Sequence, residues 1–328
     1  MPDYNTQTTT VVASPQTGLI KEYYAKKTLE RAKTQFVHAN FGQKRSIPKG
    51  NGKTISFRRW NLWDPSVAST PLTEGVTPDG LSLSQTEIEA EVAQYGAYFE
   101  HSDVLELTAV DPIVRDGSEM LGELLGTVIE HITRDAMNAG GLVQYAKPAG
   151  GGAAPTNRAG VAAGNVLTVD EIRRAVRTLK KNKARKFTRG GGKGHFMCIV
   201  GPDATYDLQS DPLWQDVSKY SDREQIYEGE IGKLFGVVFV ESTETKVFEG
   251  EGASEADVYT TLVFGADAYG TIDIAGNGAV QSIIKPKGSA GAADPLDQRG
   301  TVGAKVMAYA AKILNDAWIV RIEHGVSA

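Results

Sequence analysis

One tripeptide in the sequence has the residue types of a phosphate-binding loop. Gly52-Lys53-Thr54 matches the end of the pattern in which a glycine-rich turn and a lysine hold nucleotide phosphates. The full pattern also needs a glycine five positions before Gly52, where this chain has Ile47, and a helix whose N-terminus faces the phosphates. The residues after Thr54 favour a strand instead. A nucleotide-binding enzyme is therefore only a minor alternative.

The residues that bind metals or act as nucleophiles are few and dispersed. The five histidines form no close pair and no His-Glu-x-x-His motif, so the sequence predicts no metal site and no cofactor. A Gly-x-Ser-x-Gly motif is also absent. The single cysteine, Cys198, lies in an apolar run where a thiol is ordinarily inert, and alone it forms no intramolecular disulfide. We expect no catalytic residue and a protein that is not an enzyme.

A basic cluster occupies residues 173–193. It has two interpretations: a patch that binds nucleic acid, or the solvated face of a helix. The whole chain carries a net charge of −5, whereas proteins that bind nucleic acid over a large surface are usually basic. We favour the solvated face and expect any DNA contact to be loose and non-specific. The cluster comprises Arg173, Arg174, Arg177, Lys180, Lys181, Lys183, Arg185, Lys186, Arg189 and Lys193.

Composition places the chain among ordinary globular proteins. It has 328 residues, of which 41% are hydrophobic and 23% charged, which is enough for one large or two modest domains. The first residues lack the basic and apolar regions of a secretory signal. No apolar run approaches the roughly 18 residues that span a membrane. We expect a soluble protein, made in a cytoplasm, with no membrane partner.

A long hairpin is the most unusual predicted element. Residues 54–60 and 86–92 have the composition and alternation of strands, and a stretch rich in Pro, Thr, Ser and Gly separates them. A loop of that length in a compact domain is usually functional. We interpret it as a projecting hairpin that becomes buried on another molecule. Its charged residues are the candidate inter-subunit site: Arg58 and Arg59 on one strand, and Glu87, Glu89 and Glu91 on one face of the other.

The remaining pattern is typical of an α+β protein without regular βαβ alternation. Residues 1–18 resemble an extended arm, and residues 46–53 and 146–165 resemble loops. Helices are predicted at residues 21–41, from Asp111-Pro112 to Gly140, from a capping box at Thr168–Glu171, and shortly after Gly201. Strands are predicted at residues 196–200, 237–240, 259–264, 279–284, 301–309 and 317–322.

Eight segments carry a family resemblance along nearly the whole chain. In order they are residues 52–60 (GKTISFRRW), 72–78 (LTEGVTP), 94–96 (QYG), 102–106 (SDVLE), 264–270 (FGADAYG), 294–303 (DPLDQRGTVG), 313–316 (ILND) and 319–323 (IVRIE). Together they resemble the major capsid proteins of tailed bacteriophages, in the group related to coliphage N-four. The ordered set is more specific than any single segment.

The resemblance implies the Hong Kong 97-like major capsid fold, also called the Johnson fold. Its parts are an N-terminal arm, an extended E-loop hairpin, a P domain with a long spine helix, and an A domain. The corresponding ranges are 1–52 for the arm, 53–100 for the E-loop, 101–165 for the P domain, 166–255 for the A domain, and 256–328 for further P-domain strands and the C-terminus.

The resemblance also implies a function and partners. The protein is expected to assemble into hexamers and pentamers of an icosahedral head that encloses double-stranded DNA, in the virion and in the host cytoplasm before that. Expected partners are further copies of itself, a separate scaffolding protein, a portal and, as in some members, a decoration protein. The alternative within the same fold is an encapsulin-like shell protein of a bacterial nanocompartment.

Overall fold

The computed structural model describes most of the chain from residue 36 onward. The described residues are 36–48, 50, 52–61, 63–64, 66, 74–75, 77, 80–108, 112–188, 194–218, 230–274, 280–289 and 294–327. The predicted extended arm, most of the predicted helix at 21–41, the centre of the hairpin loop, Asp111 and the end of the basic cluster lie outside these residues.

Helices in the described residues differ greatly in length. The longest is α2, and short 3-10 turns are present at His38–Asn40, Arg158–Gly160, Ala253–Glu255 and Asp316–Trp318. The α-helices are α1 (Asp103–Thr108), α2 (Ile113–Asn138), α3 (Val169–Lys181), α4 (Pro202–Ser210) and α5 (Pro212–Ser218).

Strands are distributed from the start of the described chain to its end. They are β1 (Gln43–Ile47), β2 (Thr54–Trp60), β3 (Gln85–Glu91), β4 (Ala93–Ser102), β5 (Val143–Tyr145), β6 (Phe196–Val200), β7 (Glu230–Leu234), β8 (Val237–Glu241), β9 (Val247–Phe248), β10 (Val258–Phe264), β11 (Tyr269–Ile274), β12 (Val280–Lys285), β13 (Arg299–Ile313) and β14 (Ile319–His324).

The first sheet is built around the long strand β13. Strands β4, β11 and β12 each pair with β13 in antiparallel register, and β1 adds to β11 in parallel. Helix α2 lies on this sheet, and its stripe of Leu121, Leu125 and Ile129 packs against Val302 and Val306 of β13. Three or four apolar residues per two turns on one face are what a surface helix needs for such packing.

The second sheet holds the most deeply buried residues. Its strand order is β5-β14-β10-β6-β8-β7, and β9 pairs with β10. Helix α3 covers one face through Ile172 and Leu179. The other face packs towards the end of α2 through Met137 and Phe264. Because β6 is covered on both faces, it is apolar throughout and has no polar alternation.

The two sheets do not follow the predicted segment boundaries. β6 and β8 lie in the predicted range 166–255, but β5 precedes it, and β10 and β14 follow it. All of them pair in the second sheet. One sheet therefore combines strands from three predicted segments, because strand pairing depends on distant partners that a linear division ignores.

Most predicted elements are confirmed, with local corrections. Helix α2 and the strands at 54–60, 86–92 and 196–200 appear within a few residues of their predicted bounds. The predicted loop at 46–53 is wrong at its start, because Ser46 and Ile47 end β1. The predicted helix at 21–41 is wrong at its end, where a 3-10 turn stops at Asn40.

The predicted capping box is wrong, and the minor phosphate-binding alternative also fails. Thr168 makes no side-chain capping bond at the start of α3; Asp211 accepts the Val169 N–H at 3.0 Å instead. Glu171 bonds the Gln144 amide at 2.7 Å rather than closing a capping box. The phosphate-binding interpretation of the tripeptide 52–54 fails because Thr54 begins strand β2, so no helix N-terminus is present there.

Candidate inter-subunit surfaces

The hairpin of β2 and β3 has one face on the body and one face in solvent. The strands pair antiparallel, with Phe57 opposite Ile88 and Arg58 opposite Glu87. Phe57 and Ala90 are buried in a core cluster with Ile47 and other residues of the first sheet. Because side chains alternate between the faces of a strand, the neighbouring residues point away from the body.

The solvent face carries the predicted acidic row. Glu87, Glu89 and Glu91 lie opposite Arg58, Ser56 and Thr54 respectively, and all three carboxylates are exposed. The Arg58 Nε atom is 3.3 Å from Oε1 of Glu87. Hydrogen bonds from the Ser56 side chain and then from Arg58 lower the pKa of Glu87. The structure therefore places Arg58 and the three glutamates on one surface.

Arg59 lies on the opposite face of β2 from this row. It lines a cleft of about 630 Å³ between the hairpin and the body, together with Arg45, Lys183 and Arg185. Asp267 is the acidic residue of this cleft, and its Oδ2 is 3.6 Å from Nη1 of Arg185. Arg58 also lines this cleft, although its Nε atom contacts Glu87 on the solvent face of the hairpin.

The hairpin continues as two paired arms beyond the strands. The Asn61 amide N–H donates to the Ser84 carbonyl at 3.0 Å, and the Trp63 indole N–H donates to the Ser82 carbonyl at 2.9 Å. Large apolar side chains are exposed along these arms. Trp60 is 61% exposed, and Trp63, Leu81 and Leu83 are exposed as well. Concentrated apolar exposure of this kind marks interaction surfaces in soluble proteins.

Exposed apolar side chains also occur on α1 and on the outer side of α2. Helix α1 buries none of its residues, and Leu107 is 81% exposed. Met120 on the outer side of α2 is exposed too. Sequence reasoning missed the exposed apolar residues of α1, because this helix is too short to show a helical period.

The residues of the basic cluster on α3 do not all face the same way. Arg174 turns towards Glu171, with Nη1 2.7 Å from Oε1, while Arg173, Arg177 and Lys180 remain exposed on the outer face of α3. Phe235, from the turn between β7 and β8, lies among these three and encloses a small cavity with them. Phe235 gave no signal in the sequence, because this contact is made between distant elements.

The buried titratable groups make contacts that hold elements of the fold together. Glu130 of α2 is fully buried and accepts hydrogen bonds from the N–H groups of Val37 and His38 at 3.0 and 2.6 Å. The His38 ring lies 2.6 Å from the same carboxylate oxygen. This arrangement fixes residues 37–39 to α2. Within the described ranges no cluster of histidine, cysteine and acidic residues has the arrangement of a metal site.

Cys198 is fully buried in β6, as the sequence predicted. Burial raises the pKa of its thiol far above the usual range, which leaves the nucleophilic thiolate unpopulated near neutral pH. In the described part of the chain, no helix is long and apolar enough to cross a membrane.

Several solved capsid structures share the overall fold of this chain. The capsid of Ralstonia phage GP4 is 14% identical, with 90% of this chain and 91% of that chain covered and a TM-score of 0.69. The capsid asymmetric unit of cyanophage Pam1 is 17% identical, with coverage of 91% and 92% and a TM-score of 0.65. The capsid of cyanophage P-SCSP1u is 16% identical, with coverage of 89% and 88% and a TM-score of 0.62. At these identities the likeness establishes the mixed α and β fold.

Sequence comparison establishes the family. No curated protein matches the chain significantly. The family model described as "Phage capsid protein" matches residues 124–287, which are 164 of the 328 residues and include most of α2, all of α3 and strands β5–β12. Half of the chain thus matches the model, and the chain belongs to the phage capsid protein family, whose members are structural proteins of the bacteriophage capsid.

Proposed function

We propose that this chain is the major capsid protein of a tailed phage with the Hong Kong 97-like fold, of the group related to coliphage N-four. In this proposal it assembles into hexamers and pentamers of an icosahedral head that encloses double-stranded DNA. Residues 1–52 form the arm, 53–100 the E-loop, and α2 the spine of the P domain. The segment 166–255 provides the core of the A domain.

The observation that carries the proposal is the hairpin. It is attached to the body by one face at its base, through Phe57 and Ala90, and its arms extend beyond with exposed Trp60 and Trp63. An isolated two-stranded hairpin is marginally stable in water. A neighbouring subunit that covers the arms would bury their apolar surface and stabilise them.

The candidate inter-subunit residues act from two sides of this hairpin. Glu87, Glu89, Glu91 and Arg58 present charge on the solvent face, and Arg59 presents charge at the cleft beneath. Because one face lies on the body and the other is in solvent, a different surface of a neighbour can contact the hairpin from the solvent side. Such contacts between unlike surfaces generate closed rings when the rotation between copies closes.

The proposal includes further partners. A scaffolding protein, a portal and a decoration protein are the expected macromolecular partners, and assembly takes place in the bacterial host cytoplasm. Packaged DNA contacts the shell loosely, since the net charge of −5 provides no general attraction for phosphates. The shell function requires no catalytic residue.

Removal of the hairpin tip tests the function directly. Asn61 and Ser84 already pair across the hairpin, so residues 62–83 can be replaced by an Asn-Gly turn that fits two antiparallel strands. Both proteins are co-expressed with the scaffold and portal and examined by light scattering and negative-stain microscopy. The unmodified chain should form closed shells, and the shortened chain should remain a folded, unassembled subunit. An unmodified chain that stays monomeric would contradict the proposal.

A further inference from the structure

The outer face of α3 carries three cations in a row. Arg173, Arg177 and Lys180 have the i, i+4, i+7 spacing that places residues on one side of a helix, and all three are exposed. Asp170 Oδ1 lies 3.8 Å from Nη1 of Arg173, a weak surface contact. Among the described residues, no carboxylate forms an ion pair with Arg177 or Lys180. The face is positive and open to a partner.

An aromatic side chain is held among these cations. Phe235 and Gly236 form the two-residue turn between β7 and β8, with φ values of 49° and 78°, which is the pattern of a type I′ turn. Asn is favoured at the first position of this turn, and a bulky residue there is an outlier. Phe235 is nevertheless 47% exposed, and the Arg173 guanidinium lies 5.3 Å from its ring centre.

The cations and the ring enclose a cavity of about 280 Å³, which Val176 also lines. A backbone conformation unfavourable for phenylalanine therefore places an apolar ring beside the cations of this surface. We name Arg173, Arg177, Lys180, Val176 and Phe235 the α3 basic face. Its chemistry suits a partner that presents several carboxylates beside an aromatic or aliphatic side chain.

The acidic row of the hairpin has that chemistry and a matching spacing. Alternate residues of a strand are about 6.7 Å apart, so the row spans about 13 Å. Residues four apart on a helix are about 6 Å apart, and the three cations span about 10 Å. Arginine and lysine side chains reach far enough to absorb the difference. Trp60 lies on the same face as the row, opposite Gln85 and two residue pairs beyond Glu87, and provides the aromatic group.

We propose that the acidic row of one subunit, Glu87, Glu89 and Glu91, docks on the α3 basic face of a neighbouring subunit. Within one chain the two surfaces form no ion pair in the described structure, and the proposed contact is one between two copies. The inference rests on the proposed shell function and names the surface that receives the hairpin. It also explains why the second and third glutamates of the row face Ser56 and Thr54 rather than cations in their own chain.

Packaged DNA is the competing occupant of the α3 basic face. Three cations around an apolar ring favour a short protein segment, because duplex binding depends on the neutralisation of many phosphates. The two occupants predict different products when the face is reversed in charge. Loss of the hairpin contact prevents shell formation, whereas loss of a DNA contact leaves shells without DNA.

Charge reversal on each side, alone and together, tests the pairing. The first variant is Glu87→Lys, Glu89→Lys, Glu91→Lys; the second is Arg173→Glu, Arg177→Glu, Lys180→Glu; the third combines all six. Each single-sided variant should lose shells in negative stain while its thermal transition is retained, and the combined variant should regain them. A control, Lys44→Glu, Lys285→Glu, Lys312→Glu, changes exposed cations outside both surfaces and should assemble.

Each outcome decides between the pairing and the function. If the unmodified chain forms shells and the combined variant does not, the pairing is overturned and the shell function stands. Normal shells from either single-sided variant also overturn it, as do shells of the second variant that lack DNA. If the unmodified chain itself forms no shells, the proposed function fails first.

Phe235 provides a test that does not depend on charge. Phe235→Asn places a favoured residue in the left-handed position, so the melting temperature of the subunit should rise. Shell assembly should nevertheless slow at least severalfold, because the apolar centre of the α3 basic face is lost. Tyr206→Asn, which removes an exposed aromatic side chain from α4, is the control and should assemble at the unmodified rate. Assembly of Phe235→Asn at that same rate would contradict the proposal.

Discussion

The second sheet and the β2–β3 hairpin are both strand pairings, yet they have opposite surroundings. Every residue of β6 is buried between α3 and the other core layer, whereas the hairpin buries Phe57 and Ala90 and exposes most of its remaining side chains. The difference separates two tasks. In the proposed shell, the sheet provides the stability of the subunit, and the hairpin keeps apolar and charged surface available for a neighbour.

A core deletion in the sheet should have the largest effect on the subunit. Phe239 of β8 is fully buried, and its ring centre lies 4.9 Å from that of Trp214 in an edge-to-face contact. Phe239→Ala should lower the free energy of unfolding by about 3–5 kcal/mol through lost burial and a cavity. Urea unfolding of the unassembled subunit measures this. A loss below about 1 kcal/mol would show that the sheet is not the main source of stability.

Acid should weaken the same sheet through His324. Its Nε2 atom lies 2.9 Å from the Thr261 hydroxyl, its Nδ1–H donates to the Gly325 carbonyl, and burial lowers its pKa to about 4. The unfolded imidazole titrates near about 6.5, so between these values the unfolded chain binds a proton that the folded chain does not. The free energy of unfolding should therefore fall by about 3 kcal/mol as the pH falls from about 6.5 to about 4.

Urea unfolding of the subunit across this pH range measures the effect of His324. The variant His324→Asn lacks the titrating ring, so its acid-dependent loss should be smaller than that of the unmodified chain, although its stability at neutral pH is lower. Equal losses in both proteins would show that other groups cause the acid sensitivity.

Truncation on the hairpin should separate stability from assembly. Trp60→Ser with Trp63→Ser removes two exposed side chains and the Trp63 hydrogen bond to Ser82, so the free energy of unfolding should fall by at most about 1 kcal/mol. Shell yield should fall strongly, because the arms lose the apolar surface that a neighbour covers in the proposed shell. Tyr206→Ser is a control that removes a similarly exposed ring from the body. Equal shell yields from the double tryptophan variant and from Tyr206→Ser would contradict an assembly role for the hairpin.

The last prediction expects no covalent change at all: the subunits of the shell should be held together without covalent bonds. The sequence contains no lysine from residue 54 to residue 146, so the hairpin arms have no amine for an isopeptide bond, and guanidinium groups stay protonated. Cys198 is buried in β6 and cannot reach a second sulfur at about 2 Å. Particles boiled in detergent without reductant should give one band near 35.2 kDa. A ladder of covalent multimers would contradict this.

Sequence reasoning worked where one stretch of chain carries its own pattern. The stripe of Leu121, Leu125, Val128 and Ile132 predicted α2, although Ile129 rather than Val128 is buried. The alternation of Glu87, Glu89 and Glu91 placed them on one face. It failed for β4 and β11, which were not predicted. Both take their conformation from β13, more than thirty residues away in each case, and their glycines and mixed polarity hide the alternation.

The candidate surfaces also include some features that a local pattern predicted and others that only the tertiary structure showed. Local alternation identified the acidic row, and an apolar run identified the burial of Cys198, because the side-chain period of a strand depends on its own residues. Only the tertiary structure decided that Arg59 belongs to the cleft and that Phe235 lies against α3. Those contacts join residues far apart in sequence. Their geometry depends on how the sheets and helices pack together, and a local pattern carries no information about that packing.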